Sequence, residues 1–365
     1  ALPIYPSVQD VYEPGSTGKV MTMAAALEEK TVTPTTVFTV PYGLYRSGKT
    51  FHDHERHATQ HLTTTGILAV SSNTGSIQVG ETLGSQRLYE YLTKFGIGSK
   101  TGSGLPGESA GILHPVKSWS GTTAPTVAFG QGYSLTAMQA TSVFATIANG
   151  GVRVSPTVIA GTSDSSGHFT PAGNRESVRV VSEETASKLR IMMESVVSAN
   201  GTAPSAAIPG YRVAGKTGTA QRVDPITGKY SGYTASFIGF APADKPAYVI
   251  SVTIQDPKGL HWGGALGGPV FKKVMSFVLQ SKEDEIKATK VALGLNPDEN
   301  FAMPADVLAH ARLVKERGAQ ARKTWDSQFE GWKAANADKA ALLERLRTKS
   351  LPAGWDSDFP VFAPG

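Results

Sequence analysis

Ser16 and Lys19 stand three residues apart in EPGSTGKVMTMAAALEE (13–29), at what reads as the start of a helix from Ser16 to Glu29. Residues at that spacing share a helix face, so the hydroxyl and the amine can meet. A serine hydroxyl is a poor nucleophile until a base takes its proton. A lysine serves as that base only when its neutral form is favoured, by desolvation or by a second positive charge nearby. The helix N-terminus adds positive potential and free N–H donors at Ser16. Taken alone, the pair reads first as a helix cap beside a solvated surface charge, so the rest of the chain has to decide.

Two further patterns follow in order. Ser71-Ser72-Asn73 fits Ser-x-Asn, and Lys216-Thr217-Gly218, followed by Thr219, fits Lys-Thr-Gly. Each is short, and the signal lies in their joint order. Ser71 is expected on a turn between helices, where its hydroxyl can relay a proton to a leaving amine. Asn73 offers one acceptor and two donors to orient a substrate amide. Lys216 supplies the second cation. Gly215 and Gly218 fall in a predicted strand, where glycine often marks close backbone approach by a ligand, and a peptide can add there as an extra strand. The N–H groups of Ser16 and Thr219 then form an oxyanion hole.

These residues need elements to position them. Strand signals occur at 36–40, 211–222, 234–243 and 247–255. Helical spacing occurs in two stretches around a polar turn over 63–84, then over 84–98, 135–151, 183–198 and 268–280. Late consecutive strands flanked by helices predict an antiparallel sheet with helices on its faces and an all-helical cluster between, an α+β layout.

Composition narrows the rest. With 40% apolar residues and a net charge of +5, the 365-residue chain reads as globular and only mildly basic. It shows no basic run interleaved with aromatics, so no nucleic-acid partner is expected. The absence of cysteine excludes disulfides, thiolate zinc sites and a cysteine nucleophile. No run of about 18 apolar residues is present to span a bilayer, and no leader pattern is visible. The chain opens within 16 residues of the candidate serine, so a preceding segment is expected. Character changes near residue 281: the last 85 residues hold 26 charged side chains against 39 in the first 280, and only five of the 39 glycines.

Over about residues 8–280 the chain resembles the transpeptidase domain of class B penicillin-binding proteins, most of all the cell-division type of actinobacteria. The stretches EPGSTGKVMT, TTTGILAVSSN, KFGIGSKTGSGLPGESAG, AFGQGYSLTAMQ, ANGG and VAGKTGTAQ carry the likeness. The resemblance implies a peptidoglycan D,D-transpeptidase of the α+β penicillin-binding fold. Ser16 would form an acyl-enzyme with a stem peptide ending in D-Ala-D-Ala, and an amine of a neighbouring stem would resolve it into a cross-link. β-Lactams would acylate the same serine. Lys19 would be the base, Ser71 and Asn73 the relay and amide anchor, and Lys216, Thr217, Gly218 and Thr219 the substrate-binding strand. No metal or organic cofactor is implied. The family's place is the outer face of the cytoplasmic membrane, among divisome membrane proteins, and its N-terminal anchor and pedestal domain are missing from this sequence.

Residues 281–365 resemble an internal stretch of transketolase, read as two or three polar amphipathic helices without that family's thiamine-diphosphate motifs. A helical fragment joined as a chimeric fusion is the expectation.

Rival readings remain. One keeps the fold but makes it a serine β-lactamase or β-lactam sensor, which needs a positioned base for deacylation. Another is an inactive truncated chimera. A third is nucleotide binding, because Gly43–Thr50 (GLYRSGKT) matches the P-loop pattern, although no apolar helix follows. His52, His54, His57 and His61 invite a metal reading, against which stands an ordinary polar loop. His261 and Trp262 are expected on the cleft rim, Trp119 and Tyr233 as packing or cleft-wall aromatics, Glu108 as structural, and Gln131 in a tight turn near the site.

Overall fold

The run from Val20 to Leu27 is apolar on every side except at Thr22, which suits a helix enclosed by others, and its three consecutive alanines favour that conformation. In the computed structural model, which describes residues 5–173, 175–223, 230–280, 305–354 and 357, this run forms the buried helix α1 (Lys19–Glu28). The turn before it, Gly15–Gly18, is 3-10 rather than α, so the expected single helix has two pitches. Gly15 has a left-handed φ of 54° and donates its N–H to the Gly130 carbonyl at 2.8 Å. A side chain on Gly130 would collide with the Gly15 carbonyl, so the close approach requires glycine there.

Helix α2 (Thr64–Ala69) is capped by the Thr63 hydroxyl, and α3 (Asn73–Lys94) by the Ser72 hydroxyl, each accepting a first-turn N–H. The path of α3 breaks at Gly84 (φ 72°, ψ 163°), where one predicted helix ends and the next begins. Helix α4 (Ala137–Ala148) opens on a reciprocal capping box between Thr136 and Gln139 and stops before Gly150 and Gly151. Helix α5 (Glu183–Glu194) starts from a Ser182 cap. Helices α3 and α5 both pack on α1.

The main sheet is antiparallel, with β1 (Ala214–Val223), β2 (Tyr230–Ala241) and β3 (Tyr248–Gln255) in that spatial order. Thr217 pairs with Phe237 and Thr219 with Ala235. Residues 234–241 of β2 are buried on both faces, because α4 and helix α6 (Gly263–Gln280) both pack against the sheet. Helix α6 begins five residues before the expected 268. Its opening glycines look like loop in sequence, but a Cβ on Gly263 would meet the Ser236 and Gly218 carbonyls and one on Gly267 would meet Phe237. Contact with the sheet, not a turn, explains them. The resulting α+β layout is the one expected. The free edge of β1 lies against the Gly15–Gly18 turn.

The P-loop reading is corrected here. Gly43–Arg46 and Lys49–His52 form a hairpin around Ser47 and Gly48, both with positive φ (47° and 84°). That is a two-residue hairpin turn. Lys49 and Thr50 lie in its second strand, so no helix N-terminus is there to seat phosphates.

The chain divides into two compact units, Ala1–Ser281 and Lys282–Gly365. The second unit shows α7 (Ala305–Ala335) and α8 (Ala337–Thr348). Among its described residues no apolar side chain is buried, and Trp325, Phe329 and Trp332 stack on one another along α7. The expected junction at residue 281 lies outside the described residues.

Candidate active site

Three segments far apart in sequence meet at one point. The 3-10 turn eclipses residues three apart, which sets Lys19 Nζ 2.9 Å from Ser16 Oγ. The same amine donates to the Ser71 carbonyl at 2.6 Å and to Asn73 Oδ1 at 2.8 Å, and lies 3.2 Å from Ser71 Oγ. Lys216 Nζ donates to Ser71 Oγ at 2.8 Å, and to the carbonyl and hydroxyl of Thr217 at 3.2 and 3.3 Å. The Ser71 hydroxyl therefore touches both amines. Ser71 holds a left-handed φ of 62°, an uncommon conformation for a residue with a side chain, between α2 and α3.

Both lysines are fully buried, and among the described residues neither touches a carboxylate. Burial pulls Lys19 down to about 7, with the nearby Asp53 charge acting the other way. Burial, and then the Lys19 charge, hold Lys216 well below the ordinary lysine range. A neutral amine has two N–H groups and one lone pair. The Ser71 carbonyl and Asn73 Oδ1 take both N–H groups of Lys19, which leaves the lone pair for the Ser16 O–H. Asn73 is fixed in the orientation this needs, because its Nδ2 donates to the His52 carbonyl at 3.0 Å.

A cleft of about 550 Å³ opens over this point. Ser16, Ser71, Thr217 and Thr219 line it, with His54, Arg56, Asn200 and Trp262 on its walls. Lys19, Asn73 and Lys216 are not among its lining residues and sit behind its floor. The Thr217 hydroxyl lies 2.8 Å from that of Thr202, and Thr219 Oγ1 accepts the Gly263 N–H at 3.2 Å. The Thr219 carbonyl faces Gly15 across the free edge of β1. The N–H and C=O of one strand residue point the same way, so the Thr219 N–H also lies on the edge beside Ser16.

Gly218 calls for a correction of the sequence argument. It does not line the cleft, and a Cβ there would meet Ser236 Oγ, the Pro14 carbonyl and Thr17. A Cβ on Gly215 would meet the Phe237 ring. Both glycines make room for the chain's own neighbours, not for a ligand.

The four histidines do not converge on one point, although His52 and His57 both lie against Tyr42. His52 rests on Tyr42, His54 on Trp262, His57 against Asp53 and the Ala58 carbonyl, and His61 near the Thr39 hydroxyl. Among the described residues no group of three or more His, Cys, Asp or Glu could hold a metal. Trp262 lines the cleft, whereas His261 stacks on Tyr233 at 4.1 Å. Trp119 donates its indole N–H to the His114 carbonyl and packs on Tyr89, and Gln131 closes a turn onto the Thr126 carbonyl. Glu108 accepts the Thr101 N–H at 2.6 Å and the Thr101 and Ser103 hydroxyls, tying its Gly/Pro loop together.

Sequence reasoning missed Thr202, Asn200 and above all Asp53. No local signal marks Asp53: it sits between two histidines in a polar loop, twenty residues before the Asn73 N–H that it accepts.

The family described as "penicillin binding protein transpeptidase domain" matches residues 4–276, and that described as "transketolase, thiamine diphosphate binding domain" matches 275–352. The chain is 42% identical over 285 residues to penicillin-binding protein PbpB of Mycolicibacterium smegmatis, covering 75% of this chain and 44% of that protein. It is 36% identical over 291 residues to peptidoglycan D,D-transpeptidase FtsI of Escherichia coli, covering 76% and 45%. The crystal structure of Mycobacterium tuberculosis penicillin-binding protein 3 complexed with aztreonam superposes with a TM-score of 0.72 at 40% identity, covering 75% of this chain and 64% of that one. The chain thus spans less than half the length of the two curated relatives.

Proposed function

The chain belongs to the penicillin-binding protein transpeptidase family, and on that premise we propose that its first unit is a peptidoglycan D,D-transpeptidase acting in septal wall synthesis. The observation that carries this reading is the pair of hydrogen bonds joining Ser16 to Lys19 and Ser71 to Lys216 beneath one open cleft. Neutral Lys19 takes the Ser16 proton as the oxygen attacks the carbonyl of the penultimate D-Ala. The developing oxyanion lies between the N–H groups of Ser16 and Thr219. Ser71 passes its proton to the leaving D-Ala amine as it takes up the one Lys19 removed from Ser16, and Asn73 holds the donor amide. The Lys216 amine, with the hydroxyls of Thr217 and Thr219, donates to the terminal carboxylate. Gly218 serves the site by letting the Ser16 turn close on β1. An amine of a second stem peptide then attacks the ester, gives its proton to neutral Lys19, and Ser16 leaves with that proton.

Relatives named for β-lactam complexes and for peptidoglycan transpeptidation support β-lactams and stem peptides as ligands. Placement on the outer face of the cytoplasmic membrane, with divisome proteins, follows from the family. No helix among the described residues is long and apolar enough to cross a membrane. Residues 281–365 we read as a transketolase fragment joined to this domain; long reads of the source DNA that run unbroken across codons 280–282 would show the junction to be genuine.

Incubating the chain with a D-Ala-D-Ala pentapeptide and an amine acceptor should release D-Ala and yield the joined peptide. Rapid hydrolysis of a penicillin with no joined peptide would make it a β-lactamase instead.

The pH profile follows from the lysines. A base works when neutral, so penicillin acylation should rise with pH through about 7 as Lys19 loses its proton. Both lysines titrate lower in the folded than in the unfolded chain. The unfolded chain therefore binds more protons between about 7 and the free-lysine value, and folding stability should climb with pH across that window. A flat acylation profile from about pH 5 to 9 would remove Lys19 as the base.

Thr217→Ala removes one hydrogen bond to the carboxylate and should weaken penicillin binding about tenfold to a hundredfold. Binding of the penicillin methyl ester should change little. Equal losses for acid and ester would place Thr217 elsewhere in the chemistry.

A further inference from the structure

The Asp53 carboxylate makes four polar contacts beside the cleft. Its Oδ1 accepts the backbone N–H of Asn73 at 2.5 Å and of Thr74 at 2.9 Å. Its Oδ2 accepts the Ser72 hydroxyl at 2.7 Å and lies 3.0 Å from His57 Nε2. The Ser72 hydroxyl in turn accepts the Gly75 N–H at 2.9 Å. One carboxylate from the 53–59 loop thus caps the N-terminus of α3 twice over, where negative charge is favoured. The residue before it completes the clamp, because the His52 carbonyl accepts Asn73 Nδ2. Asn73 is therefore held at its backbone and its side chain, with only its Oδ1 left to face Lys19. Ser71, two residues before Asn73, keeps its left-handed backbone. That conformation persists only where its surroundings over-determine it.

We propose that Asp53 is a positioning residue for acyl transfer: its carboxylate clamps the Ser72–Thr74 turn and so fixes where Ser71 and Asn73 stand against Lys19 and Lys216. The inference rests on the transpeptidase reading of this cleft. Asp53 touches no reacting atom and acts through the turn. Its charge also acts on the base, because it favours the protonated form of Lys19 and opposes the effect of burial. The titratable groups that feel Lys19 are Asp53, His54 and Lys216, and His57 pairs with Asp53.

The test measures penicillin acylation against pH in the full chain and in Asp53→Ala, Asp53→Asn and His57→Gln, with thermal melts alongside. Asp53→Ala frees the turn and should slow acylation about a hundredfold. Asp53→Asn keeps one acceptor oxygen and the side-chain shape but loses the charge. It should lose less rate, and the acid limb of its profile should move down by about one pH unit. A merely structural cap would lower the melting temperature without moving that limb. His57→Gln should keep a limb near that of the unaltered chain, which assigns it to Lys19. Acylation within about twofold of the unaltered chain in both Asp53 variants, or an unshifted limb in Asp53→Asn, would overturn the proposal. So would a limb that vanishes in His57→Gln. If Asp53→Ala does not fold, Asp53→Asn decides alone. No adduct on the unaltered chain would sink the transpeptidase reading itself, which is a separate outcome.

Discussion

Ser16→Ala is expected to abolish covalent labelling by penicillin while leaving the fold intact. The Ser16 oxygen lines the cleft, and its hydrogen bond is to Lys19 Nζ. Lys19 keeps the Ser71 carbonyl and Asn73 Oδ1 without it. The Gly15–Gly18 turn is held by backbone bonds, from Gly15 to Gly130 and from the Lys19 N–H to the carbonyls of Ser16 and Thr17. None of these needs the side chain, so the change in stability should stay within about 1 kcal/mol. Mass spectrometry of the variant should show no adduct where the unaltered chain shows one equivalent. Undiminished labelling in a folded variant would assign the nucleophile elsewhere.

Lys19→Ala should cut the acylation rate by about a hundredfold to ten-thousandfold, the usual range for loss of a general base. The stability effect is less one-sided. The variant loses a costly buried amine, but it leaves a cavity and strips a partner from Ser71 and Asn73. Lys19→Arg separates charge from basicity, because arginine keeps the cation and does not give up its proton in this range. It should be as slow as the alanine variant. Recovery to within about tenfold of the native rate in Lys19→Arg would mean that Lys19 acts by charge alone, contrary to the base role.

Much of this site was legible because its chemistry is carried by side chains at fixed short spacings. Ser16 with Lys19, Ser71 with Asn73, and Lys216 with Thr217 are local pairs, and helix and strand geometry brings each together. The mainly apolar run of α1, the break at Gly84 and the stop at Asn149–Gly151 are local too, and the structure has each where the pattern put it. The misses depend on tertiary contact. The 3-10 pitch at Gly15–Gly18 comes from the approach of Gly130. The early start of α6 and the glycines at 215 and 218 answer to β2 and to the Ser16 turn, which are distant in sequence. Asp53 is the clearest case: its four partners all lie within 3.0 Å of its carboxylate, yet they are spread over 57–74 in the chain. The P-loop match failed for a related reason. Eight residues satisfied a pattern, but Ser47 and Gly48 turn the chain into a hairpin where a phosphate cradle needs a helix.

The central claim is that Ser16 is the acyl-accepting oxygen of this cleft, and peptide mapping of the chain after exposure to penicillin tests it most directly. The account predicts one stable acyl group, carried on the peptide that contains Ser16. A folded chain that stays unlabelled, or that carries the group on another residue, would contradict it.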